Sequence, residues 1–418
     1  MDGLAKLQPL RIAVLSIHSC PLGQLGTRDT GGMNVYVCEL SRQLGAMGHK
    51  VDIFTRAHDP RDDEIEEPFE NVRLIHIKAG KVEDMGKIAQ LSHLDEFKEN
   101  MALFTAIDKS HYDIIHSHYW LSGLLGNIFS GKWNVPHVIM FHTVGALKNM
   151  LPVGDPEPIE RIMSEKELIS CCGRIVVATE KESLQLHDSC GAEPGKISVV
   201  PCGVNHDLFY PLDQSDSRRF LGIDEAGKII LSVGRIEPLK GFDRLIKGVA
   251  MLNQRDVRLI IIGGDAHSKA ELSRLRGVAA DLGIENKVSF TGTVDQKLLP
   301  IYYSAANATV VSSYYESFCL IILESLSCGT PVVSTNVGIA PDVIEDGLNG
   351  YVVRSERIQE LTSGMESVLA LPKLLSETNS IRESVSGYSW PRVASGIENV
   401  YAKAIVEHQF DALQASWI

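Results

Sequence analysis

No stretch of this 418-residue chain reaches the roughly 18 uninterrupted apolar residues that a membrane-crossing helix needs. Met1 to Leu10 is polar-mixed, and the apolar run Ile12 to Ile17 is too short for the core of an export signal. Eight cysteines (20, 38, 171, 172, 190, 202, 319 and 328) form no CxxC pair and no knuckle spacing. Cys171-Cys172 and Cys319 lie in apolar patterns, so buried free thiols in a reducing cytosol are expected, and the chain is read as cytoplasmic. Basic charge is also scarce. A net charge of -13 argues against a broad nucleic-acid or anionic-membrane surface, but leaves room for a local basic pocket. GxGxxG, GxxxxGK[ST] and GxSxG are all absent, which removes the dinucleotide fingerprint, the P-loop and the hydrolase nucleophile elbow. Internal repeats and low-complexity segments are missing too.

What remains is an ordinary globular composition, 44% hydrophobic and 22% charged, in a chain long enough for about two or three domains. Strand and helix patterns alternate from end to end. Arg11 to Ile17, Val51 to Thr55, Val72 to Ile77, Asp113 to His116, His137 to Phe141, Ile175 to Ala178 and Ile197 to Val200 read as strands, with helical patterns such as Met33 to Met47, Leu91 to Lys109 and Ile159 to Cys172 between them. Pro, Gly, Asn and Asp break the pattern over 201–217, which reads as a linker. A second set of strands then runs from Ile229 to Val233 through Val257 to Ile262, Val288 to Thr291, Ala308 to Val311, Val332 to Ser334 and Gly350 to Val353. Phe242 to Leu252, Lys269 to Leu282, Phe318 to Ser327, Glu356 to Ala370 and Trp390 to His408 read as helices. The fold class is α/β, with two Rossmann-like doubly wound domains facing across a cleft, 1–205 and 206–389. Ligands of such sheets bind beyond the carboxyl ends of the strands.

Three loops stand at those ends. Tyr315-Glu316-Ser317-Phe318-Cys319-Leu320-Ile321-Ile322-Leu323-Glu324 places one carboxylate before an apolar helix pattern and one inside it, where an ionised group needs polar partners. A helix start beside Glu316 offers amides to an anion, so carboxylates for hydroxyls and amides for phosphate would suit a sugar nucleotide; a helix acid plus one salt-bridged Glu is the bland alternative. Ser232-Val233-Gly234-Arg235 ends a strand and Lys240-Gly241 precedes a helix, so two cations can converge on a diphosphate, or simply face solvent. Thr27-Arg28-Asp29-Thr30-Gly31-Gly32-Met33-Asn34 lets backbone approach a phosphate, or makes a tight turn. His116 and His118 have metal-ligand spacing but no evident third ligand, so cleft-lining roles are favoured for them and for His142. With no Asp-x-Asp pair to hold a divalent ion, Arg235 and Lys240 would neutralise a nucleotide leaving group instead.

Together these motifs, with Cys328-Gly329-Thr330-Pro331-Val332-Val333, resemble the retaining GT-B glycosyltransferases of the family that includes sucrose synthases and mannosyltransferases, glycosyltransferase family 4, over about Arg11 to Tyr401. The resemblance implies that Arg235 and Lys240 hold the donor diphosphate, aided by Gly32 and the amides of Phe318, Cys319 and Leu320. Glu316 would meet the donor sugar, Glu324 the ribose, and His142 would sit beside the reacting sugar. It implies a UDP-sugar donor, no required cofactor or metal, and a final helix, about 390–418, that crosses back onto the first domain. Within the family, Asp29 to Tyr36, His116 to Gly123, His142-Thr143 and Lys148-Asn149 look like the mycothiol-pathway N-acetylglucosaminyltransferases that take inositol phosphate. Lys87, Tyr119, Thr143 and Arg161 would then grip the acceptor phosphate, with Lys78 and Lys81 as neighbouring alternatives to Lys87, and Asn34 would reach the acceptor ring.

Cys319 stands where the family pattern has Gly, Ser325 where it commonly has Ala, and Ile339 where it has a second Gly. The implied reaction moves GlcNAc or glucose to a small phosphorylated acceptor, inositol phosphate or, as in sucrose-phosphate synthases, a hexose phosphate. A GT-B epimerase or hydrolase and a non-catalytic sugar-nucleotide sensor are the competing readings. Small molecules are the expected partners, without nucleic acid or an integral membrane segment; a homodimer stays open.

Overall fold

The computed structural model describes residues 8–23, 30–224, 227–254, 256–371 and 375–415. Its strands fall into two sheets. The first holds β1 (Arg11–Leu15), β2 (Lys50–Arg56), β3 (Ile65–Phe69), β4 (Val72–Ile77), β5 (Ile114–His118), β6 (His137–Met140), β7 (Arg174–Val177) and β8 (Ile197–Val199), in the order β3-β4-β2-β1-β5-β6-β7-β8. The second holds β9 (Lys228–Val233), β10 (Val257–Ile262), β11 (Val288–Gly292), β12 (Ala308–Val311), β13 (Val332–Thr335) and β14 (Gly350–Val353), in the order β11-β10-β9-β12-β13-β14. Every pairing is parallel except β3 with β4. The near-continuous Val/Ile/Leu runs explain this, because helices cover both faces of such sheets and bury nearly all of the inner strands. In each sheet the first strand lies between neighbours reached in opposite directions, β1 between β2 and β5, and β9 between β10 and β12. Crevices open at those two switch points.

The strand and helix patterns are found close to where periodicity places them, with instructive exceptions. β3 has no apolar signature: Ile-Glu-Glu-Pro-Phe suits only a solvent-facing antiparallel edge. The break over 201–217 contains the start of a helix, Gln214–Leu221, whose N-cap Asp213 accepts from the Asp216 amide. Cys171 is exposed, contrary to the expectation of burial, because it ends the helix Ile159–Cys171 while Cys172 turns inward in extended conformation. The helix after Glu316 starts at Leu320, two residues later than its apolar pattern, because Cys319 adopts φ 78°. Thr27, Arg28 and Asp29 of the glycine loop lie outside the described residues, as do Met1 to Leu7 and 416–418.

The chain passes between the two sheets twice, and the two crossings touch. Val204 bridges to Ser389, and its amide donates to the Tyr388 carbonyl at 3.0 Å. Gly203 is required there: a Cβ would lie 2.7 Å from the Trp390 backbone nitrogen. After the second crossing the helix Trp390–Ala415 packs on the first sheet's side. Trp390 meets Tyr36 edge-on with ring centroids 5.7 Å apart, Tyr401 shares a 2.8 Å hydrogen bond with His116, and Arg174 Nε donates to Glu407 at 2.9 Å. Among the described residues no helix is long and apolar enough to cross a membrane.

Candidate active site

A cavity of about 680 Å³ lies between the two sheets, at both switch points. Its wall contains Gly32, Asn34, Lys87, Tyr119, His142, Thr143 and Arg161 from the first half, and Arg235, Lys240, Glu316, Phe318, Cys319, Leu320 and Glu324 from the second. Lys78 and Lys81, the alternatives to Lys87, are not among the lining residues. Helices beginning at Gly32, Trp120 and Leu320 all open onto this space, so amide-rich N-termini from both halves meet there.

The second-half wall is built by the loops after β9 and β12. Lys240 Nζ donates to Glu316 Oε1 at 2.7 Å, and that oxygen also accepts from Ser313 Oγ at 2.6 Å. Burial is the largest single influence on the Lys240 ammonium and favours its deprotonation, but Glu316 and Glu237 together outweigh it and raise the pKa. Gly241, at φ 63°, lets the two loops close, since a Cβ there would strike the Ser312 carbonyl oxygen. Arg235 reaches the rim and pairs with Glu237 at 3.0 Å. Glu324 is buried, and its polar partner is the Tyr303 hydroxyl, which donates at 2.8 Å. Burial dominates that hydrogen bond and pushes the carboxyl up to about 7. Cys319 caps the helix Leu320–Ser327 in the left-handed region, which accounts for glycine at this place in the family pattern.

The first-half wall is built around Tyr119. Its ring has Lys87 Nζ 5.3 Å and the Arg161 guanidinium 4.7 Å from the centroid, and His18 at 4.3 Å between centroids. Arg161 is buried and engaged on every side. Nε donates to Glu165 at 2.6 Å, one terminal nitrogen to Glu157 at 2.7 Å, and the other to the Thr143 carbonyl and hydroxyl at 2.6 and 3.1 Å. Lys148 holds the remaining oxygen of Glu157. Asn34 is committed to its own loop, donating to Ser19 Oγ and the Cys20 carbonyl at 2.7 Å and accepting from Gly31 at 3.0 Å. His142 Nε2 and His118 Nδ1 lie 2.9 Å apart, and burial keeps His142 neutral, with its pKa pushed down to about 3. His116 and His118 are fully buried and are not among the lining residues, contrary to the cleft-lining role expected of them; their Nδ1 atoms face Tyr401 and His142.

Sequence reasoning overlooked His18, Glu157, Glu237 and Tyr36, all in the wall. His18 follows the end of β1, so the strand-end rule alone would have found it. Burial lowers its pKa first, and Lys87, His142, Arg161 and Arg235 lower it further, so cations from both halves act on one point. His18 Nδ1 and the Tyr36 hydroxyl are shielded from solvent without hydrogen-bond partners among the described residues, as expected of atoms that serve a polar ligand. Non-glycine residues with positive φ are six among those described, and three of them, Tyr119, His142 and Cys319, line this cavity. Such strain, roughly 1–3 kcal/mol each, concentrates where function over-determines the backbone.

Two parallel-sheet α/β domains around a cleft of this kind define the GT-B class of glycosyltransferases, and solved structures agree. Sucrose-phosphate synthase from Thermosynechococcus elongatus superposes with a TM-score of 0.88 at 30% identity, over 95% of this chain and 100% of that one. Anabaena HepE in complex with UDP and glucose shares the fold at a TM-score of 0.65 and 18% identity, over 98% of this chain and 100% of that one. Residues 30–208 match the family model described as Glycosyltransferase Family 4, and 213–383 the model for Glycosyl transferases group 1. D-inositol 3-phosphate glycosyltransferases of Geodermatophilus obscurus and Mycolicibacterium gilvum are each 37% identical, over 96% and 97% of this chain and 90% and 92% of theirs. The chain belongs to glycosyltransferase family 4 and is a glycosyltransferase.

Two outcomes follow from the wall itself. The folded state holds the Glu324 proton up to about pH 7 while the unfolded chain loses it near 4.5, so stability falls as pH rises through that window and the penalty is complete above it. Glu324→Gln should therefore gain stability relative to the parent between pH 5 and pH 8, by up to about 3 kcal/mol in urea unfolding; a difference that does not change with pH refutes the buried-acid assignment. At the strained cap, Cys319→Gly should be more stable than Cys319→Ala by about 1 kcal/mol, the reverse of the usual order inside regular structure. Equal stabilities would mean that the φ of 78° carries no strain.

Proposed function

We propose that the protein is a retaining, metal-independent hexosyltransferase that moves GlcNAc or glucose from a UDP-sugar to a small phosphorylated acceptor, inositol phosphate by preference. The observation that carries this reading is the pair of cationic groups in one cavity, Arg235 with Lys240 on one wall and Lys87 with Arg161 around Tyr119 on the other. A diphosphate and a phosphomonoester are the two anions such a cleft would hold together. An epimerase or hydrolase has no use for the second.

In this reading residues 1–205 with the final helix take the acceptor, and 206–389 take the donor. Arg235, Lys240 and the amides of Phe318 to Leu320 bind the diphosphate, with Gly32 opposite. Glu316 orders the transferred sugar while holding Lys240 in place, and Glu324 accepts from the ribose hydroxyls. The sugar C1–O bond to the diphosphate breaks as the bond to the acceptor oxygen forms on the same face. The acceptor proton passes to the departing diphosphate oxygen, so no side-chain nucleophile is needed. Catalysis then rests on positioning and on charge stabilisation of the leaving group by fixed cations. His142, neutral through burial, can share a hydrogen bond with the sugar without adding charge. Asn34 acts through the glycine loop it fastens. Eight free thiols are in keeping with a cytoplasmic enzyme.

Within the acceptor class, likeness to the D-inositol 3-phosphate glycosyltransferases at 37% identity favours inositol phosphate, and the 0.88 TM-score with sucrose-phosphate synthase keeps a hexose phosphate as the second reading. A matrix of UDP-GlcNAc and UDP-glucose against inositol 3-phosphate and fructose 6-phosphate decides between them. Turnover should be highest with inositol 3-phosphate, be unchanged by added Mg²⁺, and give an α-linked product by NMR. A β-linked product, or hydrolysis without transfer, would sink the proposal.

Arg161 is a poor probe of the acceptor site, because its removal strands buried Glu165, and breaking such a pair costs about 3–5 kcal/mol. Lys87 is cleaner. Lys87→Ala should raise the acceptor KM at least about tenfold, as loss of a charge-assisted hydrogen bond does, with little change in donor KM or Tm. Equal losses for both substrates would remove Lys87 from the acceptor site.

A further inference from the structure

Beside the cleft, at the carboxyl edge of the first sheet, lies a group of side chains that transfer does not use. His58 and Asp62 sit on the loop after β2, and His76 near the end of β4. One ligand-type atom of each lies within 4.8 Å of the other two. His58 Nδ1 is 3.3 Å and His76 Nε2 3.8 Å from the same oxygen, Asp62 Oδ2. Cys20, which follows β1, places its Sγ 3.9 Å from His76 Nε2. Tetrahedral zinc, with bonds of about 2.0–2.3 Å, sets its ligand atoms roughly 3.3–3.6 Å apart, so modest side-chain adjustment brings His58, Asp62 and His76 onto one ion; the Cys20 sulfur, close to His76 but outside that mutual cluster, must swing further to join them.

Two further details point to a ligand. His76 is buried, and its Nδ1 lies 2.7 Å from the Asp63 carbonyl. Nδ1 donates its proton there, so the neutral form of the ring has its Nε2 lone pair facing Asp62 and Cys20. This is the outer-shell arrangement that orients a metal-binding imidazole. Asp62 Oδ2 is shielded from solvent and accepts no hydrogen bond among the described residues, although both histidines face it.

We propose that Asp62, His58 and His76, with Cys20 as fourth ligand, form a binding site for a zinc-class transition-metal ion. Imidazole, carboxylate and thiolate donors select such an ion over Mg²⁺ or Ca²⁺, which prefer all-oxygen shells. Binding transfers the Cys20 thiol proton to solvent as the sulfur–metal bond forms. The ion lies off the reaction centre but one contact from it: the Cys20 carbonyl accepts from Asn34, which holds the glycine loop through Gly31. Metal occupancy would brace the loop on which the first-half wall is anchored, while the proposed transfer step itself uses no metal.

The test uses the full chain stripped by chelator and dialysed. Zn²⁺ competition against a chromophoric chelator should give sub-micromolar affinity in the presence of excess Mg²⁺, and His58→Ala or Asp62→Asn should weaken it by about 100-fold. Both residues are partly exposed, so these variants keep the core, and their Tm in chelator confirms it. Co²⁺ in place of Zn²⁺ should give a sulfur-to-metal charge-transfer band that Cys20→Ala abolishes. Affinity unchanged in His58→Ala and Asp62→Asn, affinity weaker than micromolar, or a Co²⁺ spectrum without that band overturns the proposal.

Discussion

The half-buried contact between Lys240 and Glu316 is the constraint on which the rest of the cleft depends. Their loops follow neighbouring strands, β9 and β12, and the 2.7 Å ion pair is backed by Ser312 Oγ donating to the Lys240 carbonyl at 2.9 Å. Both side chains are only partly exposed, and the carboxylate beside Lys240 helps keep its ammonium protonated. The pair thus keeps a cation and a carboxylate fixed at the mouth of the sheet before any ligand arrives. That is what electrostatic preorganisation requires: the cost of orienting the charges is met during folding and not during the reaction.

Backbone conformation serves the same end. Tyr119 and Cys319 lie just before helices, one in each half, and both have positive φ. A chain that leaves a strand end and turns abruptly into a helix must bend sharply, and here the bend falls on residues with side chains. The first turns that follow expose their amides toward the cavity. Cys319 thus keeps the amide geometry of a glycine position while adding a buried thiol whose pKa burial pushes well above the usual range, so the sulfur stays protonated and unreactive. The side chain shapes the pocket without adding charge to it.

Much of this was legible in the sequence. The thirteen strands other than β3 announce themselves as short apolar or β-branched runs, Val257 to Ile262 and Ala308 to Val311 among them, and Glu316, Glu324, Arg235 and Lys240 were visible as charged residues at strand ends or in apolar patterns. β3 was invisible because an edge strand is defined by its neighbour and not by its own composition. The packing around Arg161 and the stacking of His18 on Tyr119 could not be read either. They depend on which strand ends lie side by side, and the order β2-β1-β5-β6 brings together residues more than a hundred positions apart. The same reason hides His58, Asp62 and His76, whose spacing matches no linear metal motif.

The double crossing at Gly203 and Ser389 bears on how the molecule is made. The ribosome delivers β1 to β8 first, yet Trp390, Ile397 and Tyr401 of the last helix belong to the same core as Tyr36 and Val138. At about 5–20 residues per second, the first sheet waits about 10–40 s for its final helix, while the whole second sheet emerges and folds. The half that is translated first is therefore the half completed last, and its apolar helix-docking face is the surface that the nascent chain leaves open longest.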